Sequence, residues 1–161
     1  MKISEYAEAV MKEHEGLRLK AYRCTSGVLT IGYGHTRNVK TGQIINKDTA
    51  ERFFVEDVEA VERLVDREPF AKDLSQGQYD ALVSFLFNVK YSSYQTSTLR
   101  RKIINNVNDV TIPDEFRRWV YGTDPKSGEK IKLPGLVKRR EWEASRLTCK
   151  LWGATQKVSP I

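Results

Sequence analysis

A chain of 161 residues, 40% hydrophobic and 30% charged, is long enough to bury a substantial core in one soluble domain without disulfide staples. The net charge of +6 admits polyanionic partners, but no zinc spacing, RNA-binding signature or basic heptad accompanies it, which sets nucleic-acid binding aside. Two cysteines, Cys24 and Cys149, and two histidines are too few for a disulfide framework or a metal cluster, and no apolar run reaches the length of a signal peptide or a membrane span.

The first helix is predicted from Ser4 to His14, where Ile3, Tyr6, Ala7, Val10 and Met11 recur at three and four residues and draw one apolar stripe. Its end presents Glu15. From there to Thr36 the texture changes: Leu17, Leu19, Tyr22, Val28 and Ile31 take up a period of two, while Ser26-Gly27 and Gly32-Tyr33-Gly34 supply a turn and close backbone approaches. A small twisted sheet is expected, carrying a carboxyl (Glu15), a thiol (Cys24) and a hydroxyl (Thr30) into one wall. Each has a structural alternative: a helix-capping Glu, a buried Cys, a strand Thr.

Asn38 to Asn46 is a polar, turn-rich link. Asn46 or Lys47-Asp48 then opens a long helix with the stripe Ala50, Phe53, Phe54, Val58, Val61, Leu64 and Val65, acidic in its first turns and closed by Pro69. Ser75 and Gln78 have capping-box spacing and introduce Tyr79 to Asn88, apolar on nearly all sides and so expected at the buried centre of a helical lobe. Tyr91 to Thr96 reads as a polar, aromatic loop. Ser97-Thr98-Leu99 starts a helix with Leu99, Ile103 and Ile104 inward, and Ile112-Pro113-Asp114 starts another with Phe116, Trp119 and Val120 inward. Gly122 to Gly135, rich in Gly, Pro and Lys, reads as an exposed loop. Leu136 to Leu151 is the last helix, with Cys149 a small buried hydrophobe in it, followed by a fraying tail. Residues 47–68 carry a net charge of −4 and residues 117–150 one of +6, so the last third is expected to present a basic surface that includes Lys138, Arg139 and Arg140.

The spacing Glu15, eight residues, Cys24, five residues, Thr30, followed by Ile31-Gly-Tyr-Gly-His35, resembles the catalytic segment of the phage-type lysozymes, Glu-x8-(Asp or Cys)-x5-Thr-Ile-Gly-x-Gly-His. The resemblance continues through Ala81 to Asn88, Ser97-Thr98-Leu99, Glu115 to Trp119, and Gly135-Leu-Val-Lys-Arg-Arg140-x-x-Glu143. Two departures stand out: Lys90 where members commonly have Gly, and Cys24 where most have Asp. The implied fold is α+β, predominantly α, a lysozyme-like domain spanning residues 1–161. A small lobe with a twisted antiparallel sheet (about 15–46) and a larger helical lobe (1–14 and 47–161) enclose a cleft.

The implied activity is hydrolysis of peptidoglycan at the β-1,4 bond between N-acetylmuramic acid and N-acetylglucosamine, without metal or cofactor. The leaving oxygen of a glycosidic bond needs a proton, and Glu15 is the one carboxyl in the catalytic segment. Tyr22, Leu29 and Ile31 are expected to desolvate it, as a proton donor near neutral pH requires. Thr30 can hold a water by donating and accepting at once. Cys24 stands in for Asp as base, nucleophile or orienting group; the adjacent Arg23 is a candidate to favour the thiolate, although on a strand its side chain should point to the opposite face. His35 is expected to be a structural hydrogen-bonding residue. Phe87, Asn88 and Thr98 are expected on the opposite wall of the cleft, against core packing, a helix cap and a helix start as their plain alternatives. The partners implied are glycan strands and the anionic bacterial wall, with a holin releasing the chain from the host cytoplasm and no insertion of the chain itself into the membrane. A wall-binding or scaffolding protein that keeps the fold without activity is the alternative.

Overall fold

The computed structural model describes residues 1–24, 26–124 and 126–148. The first helix, α1 (Glu5–Glu15), starts at Ser4, whose hydroxyl accepts from the Ala7 amide. The same residue donates to Asp80 through both its amide (2.9 Å) and its hydroxyl (2.6 Å), so the start of α1 is tied to the helix that carries Asp80. Ala7 and Met11 are buried, whereas Tyr6, expected inward, is 58% exposed and lies beside the ring of Trp142. Gly16, at φ 69°, ends the helix by turning into a conformation that residues with a Cβ avoid, and Glu15 is thereby the last helical residue.

Two strands follow, β1 (Arg18–Arg23) and β2 (Leu29–Gly32), antiparallel, with Tyr22 opposite Thr30 and Arg23 opposite Leu29. A register shift between Arg18 and Tyr22 twists the pair. The turn is closed by Cys24 N–H to Val28 O (3.0 Å) and Gly27 N–H to Cys24 O (2.8 Å). On the other edge of β1 the returning chain bonds through Ala21 N–H to Gln43 O and Ile45 N–H to Leu19 O, which covers an otherwise open strand.

The long helix α2 (Lys47–Asp66) is capped by Asn46, which accepts from the Thr49 amide at 2.8 Å, and buries Ala50, Phe54, Val58 and Val65. It packs on α3 (Gln76–Asn88), whose capping box between Ser75 and Gln78 is complete and whose residues Gln78 to Leu86 are all buried. Helix α7 (Pro134–Thr148) lies against α3 as well, so α3 is the centre of the helical body, as its apolar surround predicts. Helix α5 (Thr98–Asn105) buries Leu99 and Ile103 but leaves Ile104 42% exposed, against expectation. Helix α6 (Ile112–Arg117) has Pro113 in its first turn.

Two segments read as loops are ordered elements. Tyr91–Gln95 is a short helix, α4, because Tyr94 inserts into the core beside Phe85 and Tyr91 donates to Glu68 at 2.9 Å. Residues Tyr121–Thr123 and Lys130–Lys132 pair as an antiparallel hairpin, β3 and β4. Glycine and lysine content hid it. The turn between them is set by Asp124, which exchanges backbone bonds with Gly128 and Glu129 and accepts from the Lys126 amide, with Gly128 at φ 72°. Cys149, Leu151 and the tail lie outside the described residues.

Candidate active site

Glu15 leaves the last turn of α1 at the point where the chain enters the sheet. Its Oε1 accepts from Arg139 Nη1 of α7 at 2.5 Å, and its Oε2 faces the backbone of Gly34. A Cβ on Gly34 would stand 3.2 Å from that oxygen, and Gly34 is at φ 92°, so this glycine serves both the turn and the approach of the carboxylate.

Arg139 is itself 3% exposed and fully engaged. Besides Glu15 it donates to the Ser84 carbonyl (2.8 Å) and, through Nε, to Glu143 Oε1 (3.3 Å). Glu143, buried completely, also accepts from the Ser84 hydroxyl at 2.7 Å and from Arg140, and Arg140 donates further to Asn88 Oδ1 and to the Trp119 carbonyl. Burial pushes the Glu143 carboxyl up, opposed by the two guanidiniums and the Ser84 hydroxyl. Two carboxylates and two guanidiniums thus alternate from Glu15 to Asn88. Two residues drop out of the expected basic surface: Arg139 and Arg140 are interior, because each is matched by a carboxylate, while Lys138, with Arg117, Arg118, Lys126, Lys130 and Lys132, is exposed. Glu15 also holds an ion pair, with Arg139, that was not among the neighbours expected for it. The signal was in Arg139-Arg140-x-x-Glu143, where i,i+4 and i,i+3 spacing brings both guanidiniums to one carboxylate.

Cys24 sits at the end of β1, partly exposed, with Sγ 2.9 Å from Ser26 Oγ. The Ser26 hydroxyl first of all, then nearby amides and the Thr30 hydroxyl, hold its thiol down to about 7. Arg23 does not take part: its guanidinium bonds the Gly27 carbonyl at 2.7 Å and closes the turn. Thr30 is 4% exposed and donates to the Val28 carbonyl at 3.1 Å. Thiol and hydroxyl are therefore neighbours across the hairpin, and Ser26 is a member of the group that sequence reasoning passed over as turn chemistry.

His35 bonds Asp57 through Nδ1 (2.8 Å) and the Arg37 carbonyl through Nε2 (2.9 Å), and stacks on Phe53 at 4.2 Å. It braces the small sheet against α2. Asn88 and Glu15 line one open depression of about 470 Å³ together with His14, Leu133 and Lys138. Thr98 lines a different depression, of about 630 Å³, bordered by α5, α6 and the β3–β4 hairpin. Phe87 is half-buried against Phe54, with ring centroids 5.5 Å apart.

This arrangement, a small antiparallel sheet set against a helical body with a carboxylate at the junction, is that of lysozyme-fold proteins. The chain superimposes on an endolysin from Escherichia coli O157:H7 phage FAHEc1 with a TM-score of 0.78 at 31% identity, covering 96% of this chain and 98% of that one. The muramidase domain of SpmX from Asticaccaulis excentricus gives 0.77 at 30% identity, over 91% and 97%. In sequence, an endolysin of Acyrthosiphon pisum secondary endosymbiont phage 1 is 42% identical over 144 residues, 89% of this chain and 95% of that relative. The phage lysozyme family model matches residues 12–143, and the chain belongs to that family.

Proposed function

We propose that this phage-type lysozyme cleaves the β-1,4 bond between N-acetylmuramic acid and N-acetylglucosamine in peptidoglycan, with Glu15 as proton donor, Thr30 positioning the water, and Cys24 orienting or activating it. The observation that carries the reading is the engagement of Glu15: one oxygen is held by a buried arginine, and the other points past Gly34 with no hydrogen bond among the described residues. A carboxyl held this way has one oxygen free to meet a glycosidic oxygen without first reorganising. Asn88 contacts the glycan in the depression it shares with Glu15, and Phe87 and Thr98 flank the strand further along. In this reading residues 15–46 form one wall of the cleft and the helices the other.

The enzyme acts on the bacterial wall during lysis. None of the helices among the described residues is long and apolar enough to cross a membrane. We assign release from the host cytoplasm to a partner such as a holin. The test is Glu15→Gln, which keeps the shape and removes the proton. Release of reducing ends from purified peptidoglycan should fall at least about a hundredfold. A variant that works within a few-fold of the parent would remove Glu15 from the role.

A further inference from the structure

The catalytic reading makes no use of the β3–β4 hairpin. Its register sets Tyr121 opposite Lys132 and Thr123 opposite Lys130, and residues directly opposite or two apart share a face. Tyr121, Lys130 and Lys132 therefore stand together on one side of the ribbon. Gly122 is on the other side, where a Cβ would lie 2.4 Å from Leu133 Cδ1; the ribbon closes on Leu133 and presents the Tyr–Lys face outward. Tyr121 is 61% exposed, and both lysines are exposed without an ion pair among the described residues.

Arg118, at the end of α6, joins them at the depression that also holds Thr98 and Lys130. Its side chain is 72% exposed, and its one carboxylate partner, Glu115 at 3.3 Å, is already met by Lys102 at 2.8 Å. The face thus combines surplus positive charge with an amphipathic ring and a hydroxyl. An uncharged glycan would satisfy the ring and the hydroxyl but leave three cations unmatched. Carboxylates on a peptide match all of them, since a guanidinium offers a fork and an ammonium a point charge to such groups. Leu133, which follows β4 directly and packs on the opposite side of the ribbon, lines the depression that holds Glu15, so the Tyr–Lys face and Glu15 lie on either side of one thin ribbon.

Given peptidoglycan as substrate, we propose that Arg118, Lys130 and Lys132, with Tyr121, bind the free carboxylates of the stem peptides, holding a strand by its peptide while the glycan lies at Glu15.

The experiment is co-sedimentation of Glu15→Gln protein with purified sacculi, either intact or with their free carboxyls converted to neutral amides, at low salt. Binding by this protein does not depend on hydrolysis, so failure of the catalytic assignment leaves the result readable. Intact sacculi should bind about threefold to tenfold more tightly than amidated ones. Adding Arg118→Gln and Lys130→Gln should abolish that difference, whereas Lys47→Gln with Lys72→Gln, equal in charge but elsewhere, should retain it. Equal binding of both sacculi by the Glu15→Gln protein would overturn the proposal. So would an equal loss from both pairs of substitutions, which would indicate a diffuse charge effect.

Discussion

Arg139 holds the carboxylate of Glu15 at 2.5 Å from 124 residues further along the chain, and does so while bonded to Glu143 and the Ser84 carbonyl. The orientation of the candidate proton donor is thereby set by a buried ion network in α7 rather than by its own helix.

Removing the centre of that network is predicted to be costly. Glu143→Ala leaves Arg139 and Arg140 buried with half of their charge compensation gone, and breaking a buried pair in this way costs about 3–5 kcal/mol. Chemical denaturation should show a loss of that order, and activity should fall further than the folded fraction explains, because Arg139 loses the group that fixes it. A loss under about 1 kcal/mol would mean that the guanidiniums find water or another partner.

Gly34→Ala tests the approach of the small sheet to Glu15. The left-handed backbone there disfavours a Cβ by about 1–2 kcal/mol, and the methyl would crowd Glu15 Oε2. The expected outcome is a modest drop in melting temperature with a disproportionate drop in kcat. A loss of stability alone, at parental kcat, would show that Oε2 tolerates displacement.

The thiol at Cys24 is predicted to titrate near neutrality. With the Ser26 hydroxyl holding it down to about 7, its alkylation rate should rise through pH 7, and Ser26→Ala should move that midpoint up toward the ordinary thiol value of about 8.5. Cys24→Asp should retain substantial activity while resisting thiol reagents, and Cys24→Ala should lose activity. Parental rates in Cys24→Ala would make the position structural and leave the chemistry to Glu15 and Thr30.

His14 gives a pH dependence of stability. Burial first, and then the Arg139 guanidinium, push its imidazole below the ordinary 6.5, against Glu13, while Arg140 adds to the push. Below pH 6.5 the unfolded chain takes up a proton that the folded chain resists, so this stabilisation is present above that pH and is lost as pH falls. The decrease in melting temperature between pH 7.5 and pH 5 should be smaller in His14→Gln than in the parent. An identical decrease would assign the effect to other groups.

Local chemistry carried much of this protein in plain text. Ser4, Asn46 and Ser75 cap helices because their side chains accept from first-turn amides that have no partner within the helix, and Glu15, Cys24 and Thr30 lie where a helix gives way to a hairpin because glycines permit the turn. Two short elements were hidden: α4 exists because Tyr94 finds a core built from distant residues, and β3–β4 because its strands find each other across a turn closed by Asp124 and Gly128. Tertiary structure decided which charges are buried, beyond the i,i+4 and i,i+3 pairing legible within α7. Arg139 and Arg140 carry the same side chain as Arg118, yet two are interior and one is exposed, because carboxylates from α1 and α7 meet the first pair while Lys102 takes much of the carboxylate within reach of the third. A charge reads the same in sequence wherever its partner lies; Glu143 is within one turn of Arg139 and Arg140 in α7, but the second carboxylate that Arg139 meets, Glu15, is brought to it from α1 by the fold alone.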